Sequence, residues 1–346
     1  MPKPPIRALA TAVAAVACLV LGACSASSST DAAPTTANPS AGSTDATSNA
    51  PETNSGGSGE ATDPSADEQS PGTTADGTGN AASDTPAGTA GSPAKVDSAH
   101  PDRYVAEVFP EIEQVYDDAV FKTAADAPGF GGTAAKDLLI DVWAPKGDDL
   151  ATRPMMIFQF GGGFRFGDRN QLAGLAQSAA HRGFVTAAFD YRTGTGWRDE
   201  GLLDGVHDDA MDAVAWLTER SDELRFDPEA IISTGASAGA VNSIHLVVME
   251  PDQDDVVLAG VVSLSGTNLT GQAPVAGGPP IIMFSGSQDT VVPFNLQTKF
   301  CEQYVAAGNV CEQHTYDAGH MGGDQADIRA RSVAFVREQI LRPLGY

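Results

Sequence analysis

The chain has 346 residues, 45 acidic against 20 basic side chains and a formal net charge of -25. That balance excludes an electrostatic partnership with nucleic acid or anionic lipid, because both repel an acidic surface. Composition is split unevenly, so length alone overstates the folded part.

Residues 1–23 read as an export signal: Lys3 and Arg7 precede an apolar run, Ala8 to Ala23, too short to span a bilayer comfortably. The run ends in Leu21-Gly22-Ala23-Cys24, which resembles a bacterial lipoprotein signal. The resemblance implies that Cys24 is lipidated, becomes the new N-terminus and holds the protein on the extracytoplasmic side of the cell membrane. Several acyl chains on one residue anchor firmly, since each buried CH₂ contributes about 0.8 kcal/mol. Residues 24–98 follow as an acidic Ser/Thr/Ala/Gly-rich tether. From Ser25 to Lys95 there is no Val, Ile, Leu, Met, Phe, Tyr, Trp or Cys, so nothing offsets chain entropy and the segment is expected to be disordered.

Residues 99–346 are long enough for one large core. Strands are expected over 138–143, 155–160, 184–190, 230–233, 256–264, 280–284 and 311–316, and helices over 170–181, 204–224, 238–249, 295–307 and 325–341. Strands alternating with helices of this length mean an α/β fold: a mainly parallel twisted sheet with helices on both faces. Ligands in such sheets bind at the carboxyl ends of the strands. The piece from His100 to Ala125 is expected to cover one side of that site. Cys301 and Cys311 remain in this exported domain and are expected to pair as a disulfide. No third or fourth ligand clusters near them, so no metal site is expected, and no motif calls for a cofactor.

Gly235-Ala236-Ser237-Ala238-Gly239 lies between a strand and a helix, the setting a nucleophile elbow requires. A serine hydroxyl needs a base to take its proton, and a carboxylate to orient that base. His320 follows the last strand and is the best base; His100, His181, His207, His245 and His314 lie before it, on helices or inside a strand. Asp289 follows the strand ending at Phe284 and is the best acid, with Asp317 as its rival. Gln159-Phe160-Gly161-Gly162-Gly163-Phe164 follows a strand, and glycine amides there can approach a developing oxyanion. Gly162, Gly163 and Ala238 are the expected oxyanion donors. Neither phosphate-binding motif, G-x-x-x-x-G-K-[ST] or G-x-G-x-x-G, is present.

With these residues the chain resembles the α/β-hydrolase esterases, particularly the carboxylesterase and hormone-sensitive-lipase relatives with an H-G-G-G-F motif, over roughly Leu138 to Tyr346. Gly167-Asp168, Asp190-Tyr191-Arg192, the stretch Asp209 to Leu217, the elbow, Asp289 and His320 all take part. Phe160 departs from the pattern, standing where that family usually has His. The resemblance implies hydrolysis of a small-molecule or polymer-borne carboxylic ester through an acyl-enzyme. Gly266 to Pro279 is too short for a helical lid, so an open site is expected. Phe160, Phe164, Phe166, Trp197, Phe294 and Met321 are candidates to line it. A serine peptidase of the same fold is the alternative within this chemistry, and a catalytically silent surface binding protein is the alternative outside it. The oligomeric state is not legible.

Overall fold

The computed structural model describes residues 95–124, 136–249 and 257–346. The export signal, Cys24 and all but the last residues of the tether lie outside them. Eight strands form one sheet: β1 (Ile112–Ala124), β2 (Lys136–Pro145), β3 (Arg153–Gln159), β4 (Val185–Phe189), β5 (Phe226–Ala236), β6 (Gly260–Leu264), β7 (Ile281–Gly286) and β8 (Cys311–Tyr316). Their order is β1-β2-β4-β3-β5-β6-β7-β8. The β1/β2 and β2/β4 pairs are antiparallel, and every pair from β4 to β8 is parallel. The helices are α1 (Ala173–His181), α2 (Glu200–Thr218), α3 (Ala238–Val248), α4 (Phe294–Ala306) and α5 (Gln325–Phe335), the last continuing as a π-turn over Val336–Leu341.

Period-two alternation divides the core. Met156, Phe158, Ile232, Val262, Ile282 and Phe284 face α1 and the α5 end of the chain. Their neighbours Met155, Ile157, Ile231, Val261, Ile281 and Met283 face the other way, toward α2, α3 and α4. Because both faces are covered, the central strands read as continuous apolar runs. Burying a side chain of this size contributes about 1.5–3 kcal/mol.

The elements differ from expectation mainly at their ends. Helix α2 begins at Glu200, four residues early, because the Asp199 side chain accepts from the Leu202 amide and caps it. It stops at Thr218, and a separate turn covers Ser221–Leu224. Helix α1 begins at Ala173, after a 3-10 turn over Arg169–Gln171. Strand β1 was not anticipated, and it changes the place of the N-terminal piece. Rather than covering one side of the site, the Ile112–Ala124 part of this piece forms the β1 edge of the sheet, away from β7 and β8, while Tyr104 ahead of it reaches Tyr346, with ring centroids 6.0 Å apart. Arg103 donates to Asp148 at 2.8 Å and to the Gly183 carbonyl at 3.0 Å, and Tyr104 packs on Phe184 with ring centroids 4.8 Å apart. At the opposite edge, Cys301 of α4 and Cys311 of β8 are joined as a disulfide, with Cα atoms 5.6 Å apart.

Candidate active site

Strand β5 ends at Ala236 and α3 begins at Ala238, so Ser237 alone makes the turn, with φ 53° and ψ -115°. Such a conformation costs a β-carbon residue about 1–3 kcal/mol and persists only where its surroundings fix it. Here the Ser237 amide donates to the Leu264 carbonyl at 2.8 Å, and its carbonyl accepts from Val241 at 2.9 Å. The turn also needs α3 to lie against β3. A Cβ on Gly239 would fall 2.0 Å from the Gln159 carbonyl oxygen, so only glycine fits there.

Around this serine the structure brings together the residues singled out above. His320 Nε2 is 2.9 Å from Ser237 Oγ, and His320 Nδ1 is 2.8 Å from Asp289 Oδ2. The Asp289 side chain is fully buried, while the His320 side chain keeps 19% of its surface. Burial alone would raise the Asp289 carboxyl. Hydrogen bonds from His320 and from the Val291 and Val292 amides, at 2.9 and 3.1 Å, outweigh burial and hold it below the usual carboxylate range. A carboxylate on Nδ1 keeps that nitrogen protonated and leaves Nε2 free to accept from the hydroxyl. Asp317 is exposed and accepts from Gln288 at 2.6 Å, outside this chain of contacts.

Two loops must meet for Asp289 to reach His320, and Gly286 permits it. A Cβ on Gly286 would lie 2.2 Å from the Gly319 carbonyl oxygen. The loops are tied by Ser287 donating to Tyr316 at 2.8 Å and Gln288 donating to Ala318 at 2.9 Å. Met321, the residue after His320, donates to the buried Ser265 hydroxyl at 3.1 Å. Sequence reasoning missed Ser265, whose neighbour in space is 56 residues away.

The glycine loop lies against the elbow, with the Gly161 β-position 3.5 Å from the Ser237 Cβ. Among the described residues, no protein acceptor takes up the Gly162 or Gly163 amide. The Ala238 amide is in the first turn of α3, where helical amides have no acceptor and the helix dipole favours negative charge. The loop is braced from behind. Arg169 donates to Asp141 at 2.8 Å and to Asp190 at 3.2 Å, and the Asp190 carboxylate also accepts from the Arg169 amide at 2.9 Å. Arg192 binds the buried Asp209 of α2 through Nε and Nη2, at 2.8 and 2.7 Å. These pairs give a physical role to Asp190-Tyr191-Arg192.

Phe160 accounts for the departure from the esterase pattern. Its ring stacks on Tyr191 with centroids 3.9 Å apart and planes 2° from parallel, and the Tyr191 hydroxyl donates to the Phe160 carbonyl at 2.5 Å. Stacking and this bond set the loop without an imidazole. Phe160 and Phe164 are therefore core residues and do not line an open surface. Phe166 and Trp197 are 45% and 46% exposed, and Phe294 and Met321 are half-buried.

The other histidines are engaged elsewhere. His100 contacts Asp97, His181 the Phe109 carbonyl and His314 Glu312. His207 is buried on α2. His245 is buried on α3; burial, and to a lesser degree nearby His207, push it down to about 3, and it accepts from the Leu269 amide at 3.2 Å. Of groups with metal-ligand spacing, the described residues hold one, Asp117, Asp118 and Asp141. Arg169 pairs with both Asp118 and Asp141, which is an ion-pair arrangement rather than a metal cage.

A family model described as BD-FAE matches residues 140–255, about a third of the chain. Fumonisin B1 esterase of Sphingopyxis macrogoltabida is 29% identical over 131 residues, which are 35% of this chain and 24% of that enzyme. A probable isoprenylcysteine alpha-carbonyl methylesterase of Oryza sativa subsp. japonica is 26% identical over 129 residues, 36% of this chain and 29% of that protein. The chain thus matches about a quarter of the length of these curated relatives. Among solved structures, the propionate-bound esterase Est2 of Thermogutta terrifontis superposes with a TM-score of 0.53 at 24% identity, covering 68% of this chain and 96% of that one. The same esterase phosphorylated by paraoxon gives a TM-score of 0.52 over 68% and 95%. Strand order, the antiparallel start of the sheet and these neighbours make the fold that of an α/β-hydrolase.

Proposed function

We propose that the chain is a serine hydrolase that cleaves carboxylic esters through an acyl-enzyme, with Ser237 as nucleophile, His320 as base and Asp289 as the orienting acid. The observation that carries this is the contact chain Ser237–His320–Asp289, at 2.9 and 2.8 Å, on a serine held at φ 53°. Esterase names among the relatives and structural neighbours support it.

Ser237 Oγ attacks the ester carbonyl carbon while its proton passes to His320 Nε2. The carbonyl oxygen becomes an oxyanion facing the amides of Gly162, Gly163 and Ala238; removing one such donor typically costs about 10²- to 10³-fold in rate. Collapse breaks the bond to the alcohol oxygen, which leaves with the proton held by His320. A water then attacks the acyl-enzyme, His320 takes its proton, and the acid and free serine are released. The stretch 265–280 between β6 and β7 holds no helix, in keeping with an open site for short or polymer-borne esters.

Hydrolysis of p-nitrophenyl acetate, butyrate and decanoate by wild type and Ser237→Ala tests this. Turnover should favour the short esters and vanish in the variant. Retained turnover by Ser237→Ala would remove the assignment, and cleavage of peptides in place of esters would give the site to a peptidase.

A further inference from the structure

The acid of the candidate site is held by a glutamine that neither motif nor resemblance singled out. Gln297 lies on α4 and is completely buried. Its Nε2 donates to Asp289 Oδ2 at 3.1 Å and to the Val292 carbonyl at 2.7 Å. Its Oε1 accepts from the Ser285 hydroxyl at 2.8 Å, and Ser285 Oγ accepts from Gln313 Nε2 of β8 at 2.9 Å. Each bond has only one possible direction. Asp289 below its usual carboxylate range is ionised and can only accept, so the Gln297 amide must present its nitrogen. Its oxygen must then receive the Ser285 proton, which leaves Ser285 to accept from Gln313. The relay runs Gln313, Ser285, Gln297, Asp289, and meets the His320 N–H on the same oxygen, Oδ2.

We propose that Gln297 is a positioning residue: it fixes the rotation of the Asp289 carboxylate so that Oδ2 stays in line with His320 Nδ1. A fully buried amide is not needed there for burial alone, since leucine fills similar space without a polar group to satisfy. Two donors on Oδ1, from Val291 and Val292, and two on Oδ2, from His320 and Gln297, leave the carboxylate one orientation. The relay reaches β8 beside the disulfide. Gln297 and Cys301 are one turn apart on α4, and Cys311 and Gln313 share a face of β8, so covalent and hydrogen-bonded ties join the same two elements. His320 is the titratable side chain in contact with Asp289. Asp317 turns to Gln288, and Lys299 and Glu302 of α4 are exposed.

This inference rests on the esterase reading. Gln297→Leu and Gln297→Glu, compared with wild type on p-nitrophenyl butyrate across pH, test it in the whole protein. Gln297→Leu should lower kcat about 10- to 100-fold with KM nearly unchanged, the usual scale for removing a residue that orients a reacting group. Gln297→Glu is isosteric and puts a second carboxyl about 3 Å from Asp289; carboxyl groups that close share a proton. That proton serves as the missing donor, so activity relative to wild type should be highest near pH 6 and fall toward pH 9. A kcat for Gln297→Leu within twofold of wild type would overturn the proposal. So would a Gln297→Glu ratio flat in pH, which also decides the matter if the leucine variant does not fold. Wild type without Ser237-dependent turnover would overturn both readings, whereas normal wild type with unaffected variants overturns this one alone.

Discussion

His245 makes the fold sensitive to mild acid in a way that can be calculated. It sits in α3, the helix that Ser237 opens, and it is held neutral at about 3 against an ordinary 6.5. Between those values the unfolded chain binds a proton that the folded chain refuses, so stability present above 6.5 is lost as pH falls toward 3. Each pH unit in that window costs about 1.4 kcal/mol. From about pH 7.5 to pH 5 the loss comes to about 2 kcal/mol, or about 4–8 °C in Tm for a domain of this size. His245→Gln keeps an acceptor for the Leu269 amide but cannot titrate. Scanning calorimetry of both proteins over that range should give curves that converge toward acid, the wild type falling more steeply. Parallel curves would refute the reasoning, because they would mean that His245 takes no part in the proton balance of unfolding.

Other consequences are as direct. The Cys301–Cys311 bond closes a loop of sequence separation 10, so Cys301→Ser with Cys311→Ser should cost about 3 kcal/mol and lower Tm by about 6–12 °C; an unchanged Tm would count against the bond. Gly286→Ala must push the Asp289 and His320 loops apart, and a displacement near 1 Å costs about 100-fold in kcat. Steady-state kinetics showing wild-type kcat in that variant would mean that the loops accommodate the methyl freely. We propose that Cys24 carries a lipid anchor: mass analysis of the protein isolated from its source cells should find an acylated Cys24 at the N-terminus, and an unmodified chain beginning upstream would overturn that proposal.

The central strands and their mainly parallel arrangement were legible because those strands are apolar runs ended by glycine or proline, as at Phe158-Gln159-Phe160-Gly161, whereas the order of the strands in the sheet was not. Strand β1 was not, because Glu113, Gln114, Asp117, Asp118 and Lys122 break its alternation; an edge strand has one open side and tolerates them. Ser237, Asp289 and His320 stood out because each sits at a strand end, where local sequence carries the signal. Gln297, Ser285, Gln313 and Ser265 did not. Each acts through a partner 8 to 56 residues away that only the packing of α4, β6, β7 and β8 brings near. The same holds for Phe160, whose stacking on Tyr191 spans 31 residues.

The most direct measurement is to treat the protein with a fluorophosphonate and map the adduct by peptide mass analysis, alongside Ser237→Ala, His320→Ala and Asp289→Asn. A single adduct on Ser237, absent in Ser237→Ala and formed far more slowly in the other two, is the predicted result. An adduct on another residue, or labelling unaffected by loss of His320, would contradict the account.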